Sequence, residues 1–259
     1  MTEVNNHTDM HRFKVLTLNI HKGFSMGNRR FTLDAIRSKL RESGSNIVFL
    51  QEVIGEHEKH ENHLPDWPGT NQFEFLADSV WSHYAYGRNA IYQHGHHGNA
   101  ILSELPFSNS TNIDVSRLSF SQRGILHGVL EGGIHLLCIH FGLLENERRR
   151  QVLDLGNYIQ NEIPAGQPLI LAGDFNDWRK TAHRYLKQEC GLTEVHEQIH
   201  ARVATTFPAF TPLLSMDRIY VRGFVINSVQ VLASKDWRQL SDHCALLAEL
   251  NIDSAGANQ

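Results

Sequence analysis

Apolar positions along the chain fall into short strand-like runs separated by amphipathic stretches. FKVLTLNI (13–20) is apolar-rich with alternation, which predicts a strand. RRFTLDAIRSKLRESG (29–44) spaces Phe31, Leu33, Ile36 and Leu40 at near-helical intervals and closes on Gly44, a helix stop signal. NIVFLQEV (46–53) is nearly continuous in apolar residues and reads as a buried strand with a polar end. Strand, helix, strand in that order opens an α/β pattern. Residues 54–80 are rich in His, Glu, Pro and Gly and predict an irregular rim. Short strand candidates follow: SHYAYGR, NAIYQ, GNAILSEL, FSNSTNIDV, GILHGVLEG and IHLLCIHFG.

A helix is expected from Glu145 to Ile163, with Val152, Leu155 and Ile159 on one face. PLILAGDFND (168–177) predicts another buried strand, and a helix is expected near 179–190. TTFPAFTPLLSM is an apolar loop interrupted by proline, DRIYVRGFVINSVQVLAS reads as two strands, and CALLAEL closes the domain. Without repeats or a linker-like shift in composition, residues 11–252 read as one domain, with 1–10 and 253–259 as flexible tails.

Composition narrows the class. In 259 residues, 41% are hydrophobic, enough for a sizeable core. Lys plus Arg number 24 against 28 Asp plus Glu, and this net charge of −4 argues against broad phosphate-backbone binding. Cys138 and Cys244 lie in apolar runs and read as buried thiols. The polar N-terminus lacks the apolar segment of a signal peptide, and no apolar run is long enough to span a bilayer, so a soluble cytoplasmic protein is expected. The histidine-rich QHGHHG (93–98) lacks partners at metal-site spacing and predicts a polar loop.

The predicted strands share one feature: they end on residues foreign to a core. These are Asn19; Gln51 and Glu52; His140; Asp174 and Asn176. Asp217 opens one strand, and Asp242 and His243 precede the last. Taken singly, each has an ordinary reading, such as a turn residue, a satisfied core imidazole, or a salt bridge from Asp217 to Arg218. Together, at strand ends where α/β folds collect ligands, they suit a hard divalent cation and hydrolysis by activated water. No phosphate-cradling glycine loop and no G-x-S-x-G elbow is present.

TLNI, FLQEV, GNAILSELPF, IHFG, LAGDFND, MDRIYV and LSDHCAL, in this order, resemble the endonuclease/exonuclease/phosphatase superfamily of DNase I-like enzymes over residues 13–250. NIHKGFS, GHHGNA, TFPAF and SDH are most similar to its bacterial YbhP-like subgroup. The resemblance implies a four-layer α/β sandwich: two mixed β-sheets packed face to face, with helices on both outer faces. It implies a Mg²⁺- or Mn²⁺-dependent phosphoesterase, a nuclease, phosphodiesterase or phosphatase. Glu52, Asn19 and Asp242 then match metal ligands, and His140, Asp174, Asn176, Asp217 and His243 match catalytic positions. Arg88 and Asn99 are expected to contact substrate. The expected partner is a phosphoester substrate; nucleic acid and a peripheral membrane contact through 205–214 stay open, and no obligate protein partner is indicated. The alternative is a binding scaffold that kept the fold and lost the chemistry.

Overall fold

The computed structural model describes residues 12–57, 64, 66–92 and 94–253. One sheet contains β1 (Arg12–Asn19), β2 (Ile47–His57), β3 (His83–Tyr92), β4 (Gly95–Ser103), β11 (Phe224–Leu232) and β12 (Ala245–Ile252), in the order β11-β12-β1-β2-β4-β3. The other contains β5 (Phe107–Asp114), β6 (Gly124–Leu130), β7 (His135–His140), β8 (Leu169–Asp174), β9 (Thr193–Glu194) and β10 (Asp217–Arg222), in the order β5-β6-β7-β8-β10-β9. The helices are α1 (Leu33–Ser43), α2 (Gln72–Ala77), α3 (Glu145–Glu162), α4 (Thr181–Gln188), α5 (Val195–His200) and α6 (Lys235–Arg238). Both sheets are mixed: β1 and β2 run parallel, as do β7 and β8, and their other pairings are antiparallel.

Alternation along the strands builds the layers. In β1, Phe13 and Val15 face the opposite sheet, where they meet the cluster that holds Leu126, Leu136 and Ile219. Leu16 and Leu18 point the other way, toward Ile36 and Leu40 of α1. On the far side, Ile139 and Leu171 pack beneath Val152, Leu155 and Ile159 of α3. Each such side chain contributes roughly 1.5–3 kcal/mol on burial. The result is the expected sandwich of two sheets between helical layers.

The two parallel pairs position the site. In β1–α1–β2 and again in β7–α3–β8, a helix carries the chain back so that both strands end at the same edge. That edge holds Asn19 and Glu52 from one sheet and His140 and Asp174 from the other. The predicted rim at 54–80 is shorter than expected. Residues 54–57 continue β2, residues 72–77 form α2, and 58–63 and 65 lie outside the described residues. QHGHHG is not a loop: from Gly95 it starts β4, because those residues pair with the extension of β2. Among the described residues no helix is long and apolar enough to cross a membrane.

Candidate active site

Strand register assembles the polar ends. His140 lies beside Asp174 in the parallel β7–β8 pair, and Asp217 lies opposite Asp174 in the antiparallel β8–β10 pair. The turn before β12 delivers Asp242 and His243 against the end of β1, where Ser241 Oγ donates to the Asn19 carbonyl at 2.6 Å. Residues more than a hundred positions apart thus converge on one carboxylate. Asn19 Nδ2 donates to Asp174 Oδ2 at 3.1 Å, and His140 Nε2 and His243 Nε2 stand 3.6 and 3.8 Å from the same oxygen. The other oxygen, Oδ1, accepts from the backbone N–H of Asn176 at 2.9 Å.

His243 is oriented from behind. Its Nδ1–H donates to Asp217 Oδ2 at 2.8 Å, which leaves Nε2 facing the site. The backbone N–H of Asp217 is held by Thr206 Oγ1, and the Phe207 ring lies against the imidazole at 4.9 Å between centroids. Asp217 pairs with His243 and not with Arg218. Alternation sends Arg218 to the opposite face, where it is buried against Asp177 at 3.1 Å. Asn176 Nδ2 donates to the Phe141 carbonyl at 2.9 Å, so this residue fixes both Asp174 and the chain leaving His140.

Glu52 arrives by a backbone irregularity. Ile47 and Phe49 face the other sheet, while Val48, Leu50 and Val53 face the helices. Strict alternation would send Glu52 toward the helices too. Instead the β2–β4 register shifts between Leu50 and Val53, and Glu52 adopts φ +56°. The bulge re-aims its side chain toward the site. There Glu52 Oε1 accepts from Asn19 Nδ2 at 3.3 Å, and Oε2 is 3.8 Å from Lys22 Nζ.

Electrostatics separate the two carboxylates. Burial opposes ionisation of Glu52, but the charges of His140 and Lys22 and the Asn19 hydrogen bond outweigh it and hold its carboxyl at about 2. Burial pushes Asp174 up to about 6; neighbouring Asp217 adds to the rise, and His243 opposes it. Burial disfavours the charged form of His243, yet Asp217 and Asp174 together raise it to about 10. His140 goes the other way: burial lowers it well below the ordinary imidazole value, helped by Arg123.

The other predicted residues sit around this centre. Asp242 accepts from Ser241 Oγ at 3.3 Å and lies 3.6 Å from His21 Nδ1, at the Asn19 side of the mouth. Asn99 is buried between the sheets, where Nδ2 bonds the carbonyls of Gly124 and Cys138 at 3.1 and 3.2 Å. Arg88 is exposed and lines a cleft of about 440 Å³ with Arg117 and Arg123. Lys22 and Arg123, whose charges act on Glu52 and His140, were not among the expected site residues. For Lys22 the available signal was a cation three positions beyond the polar end of a strand.

The site fits a hard cation. Glu52, Asp174 and Asp217 bring buried or half-buried carboxylates together, and Asp217 Oδ1 is buried without a hydrogen-bond partner. Oxygen donors of this type suit a hard divalent cation. Ligand atoms of Asp174, Asp217 and His243 also lie within 4.8 Å of one another. There, however, His243 Nδ1 and Asp217 Oδ2 are spent on each other, which is the arrangement of an oriented imidazole.

Known proteins share this sequence or this architecture. The uncharacterized protein YbhP of Escherichia coli (strain K12) is 46% identical over 250 residues, covering 95% of this chain and 98% of its own. An endonuclease/exonuclease/phosphatase from Beutenbergia cavernae superposes with a TM-score of 0.73 at 17% identity, over 93% of this chain and 72% of that one. A mannosyl-6-phosphatase of Bacteroides thetaiotaomicron superposes with a TM-score of 0.68 at 16% identity, over 92% and 99%. A sequence profile of the Endonuclease/Exonuclease/phosphatase family matches residues 16–243. This chain therefore belongs to the endonuclease/exonuclease/phosphatase family, whose members are hydrolases acting on phosphoesters.

Proposed function

We propose that the protein hydrolyses a phosphodiester or phosphomonoester in a reaction dependent on Mg²⁺ or Mn²⁺. The observation that carries this reading is the convergence of Asn19, His140 and His243 on Asp174 Oδ2 within 3.8 Å. Asp174 accepts a proton from the attacking water as the new P–O bond forms and the ester P–O bond breaks. The leaving oxygen takes its proton from solvent. His140 and His243 present N–H groups to the phosphoryl oxygens, where negative charge builds. Asp217 holds the His243 ring and favours its imidazolium form. Glu52 and Asn19 would hold the cation, with Asp242 as a further ligand from the mouth; when bound, it would supply positive charge to the phosphoryl group. Asn176 positions Asp174 through its backbone N–H.

The test is turnover of bis-p-nitrophenyl phosphate by the purified protein. Excess chelator is expected to abolish it, and added Mg²⁺ or Mn²⁺ to restore it. His243→Ala is expected to lower the rate by about 10²-fold or more. Rates indifferent to chelator, or to loss of the imidazole, refute the assignment.

A further inference from the structure

The loops that carry or adjoin the site residues present exposed apolar side chains. Leu143 and Leu144 follow His140, Trp178 follows Asn176, and Phe210 and Leu213 precede Asp217. Phe210, Leu213 and Leu143 are 72%, 71% and 63% exposed, which puts most of each ring or isobutyl group in water. Clustered exposure of this kind marks a contact surface.

The apolar tips stand on fixed supports. Arg148 is buried and donates to the carbonyls of Gly142 and Leu143, while its guanidinium covers the Trp178 ring at 4.7 Å. Arg218 ties the Trp178 loop to the Phe210 loop, donating to Asp177 and, at 3.1 Å, to the Ser215 carbonyl. Arg238 donates to the Phe210 carbonyl at 3.4 Å. Cations lie on or beside the same segments. Arg150, Lys180 and Arg238 are exposed and form no salt bridge among the described residues, whereas Arg149 and Arg179 both pair with Glu145.

We propose that this surface docks on an anionic phospholipid bilayer and sets the site against the headgroups. The inference rests on the phosphoesterase reading for its consequence, but the docking surface stands on its own geometry. Apolar tips enter the acyl boundary while flanking cations meet anionic lipid, the combination that holds proteins at an interface. Nucleic acid fits less well. The tips are mostly aliphatic, and one face of Trp178 is already covered by Arg148.

The experiment is co-sedimentation of the full chain with phosphatidylglycerol–phosphatidylcholine vesicles, beside vesicles of phosphatidylcholine alone. The protein is expected to partition onto the anionic vesicles. The double variant Phe210→Ser with Leu213→Ser, and separately Leu143→Ser with Leu144→Ser, should each weaken this by about tenfold or more. Both should leave turnover of the soluble ester unchanged, which also shows that they fold. Absence of wild-type partitioning, or variants that partition like wild type, overturns the proposal. So does a wild-type dimer that both variants lose in place of vesicle binding, or oligonucleotide binding that they lose in its place. Vesicle binding by a protein that hydrolyses no ester would count against the phosphoesterase reading alone.

Discussion

The two strand–helix–strand units reach the same edge of the molecule, and each brings a carboxylate to it, yet the two carboxylates are driven in opposite directions. Glu52 sits at the bulge within β2, beside Lys22 and Asn19, and is held at about 2. Asp174 ends the second, enclosed and facing Asp217, and is pushed up to about 6. One environment keeps a permanent anion suited to a cation, and the other keeps a group that can take up a proton. Pairs of titratable groups forced apart in this way assign acid–base roles more securely than either residue alone.

The largest test of that division is Asp174→Asn. It retains one oxygen, for the Asn176 N–H, turns the atom facing Asn19 into an amide nitrogen, and removes the proton acceptor. Turnover of the soluble ester should fall by about 10²–10⁴-fold. Glu52→Gln strikes the other role. It should lower the rate by about ten- to a hundredfold at a fixed Mg²⁺ concentration and be partly rescued by raising the metal, measured as the shift in half-maximal Mg²⁺. If excess metal rescued Asp174→Asn and not Glu52→Gln, the roles would be reversed.

Stability of the metal-free protein provides a test of opposite sign. Asp174 has a folded pKa above its unfolded value of 3.8, so its contribution is fully present below that value and is lost as pH rises through about 6. Glu52 has a folded pKa below 4.5, so its contribution is present above that value and is lost as pH falls toward about 2. Asp174→Asn should therefore make the metal-free chain more stable at neutral pH. Glu52→Gln should make it less stable there. Thermal or urea unfolding in chelator reads both, and matching signs for the two variants would dismiss the contrast.

How much of this could be read from sequence follows the same division. Asp174 ends a regular buried strand, and FLQEV and LAGDFND mark both acids as polar ends of apolar runs. The sandwich was implied by resemblance, because alternation marks strands without pairing them into two sheets. The direction in which Glu52 points was hidden, since period-two reading sends it toward the helices and only the bulge turns it back. Arg148 and Gln151, polar residues one helical turn apart, are both buried. Gln151 Oε1 accepts from Gly142 N–H at 2.9 Å, and Arg148 satisfies the carbonyls beside it, so a polar pair fixes the loop after His140. Such tertiary hydrogen bonds have no periodic signature.

Lys22 offers the smallest and finest test. Its ammonium lies 3.8 Å from Glu52 Oε2 with 43% of the side chain exposed, so solvent screens the pair and its removal should cost no more than about 1 kcal/mol. Lys22→Gln relieves Glu52 of one attraction that favours its anion. The folded pKa of Glu52 then moves up toward the unfolded value, and the acid limb of the stability curve becomes shallower. The same change removes a positive charge that competes for the Glu52 carboxylate, so Mg²⁺ should bind about two- to fivefold more tightly. Calorimetric titration of Mg²⁺ beside acid unfolding in chelator measures both shifts. A variant that binds Mg²⁺ more weakly would show that Lys22 organises the Glu52 side chain.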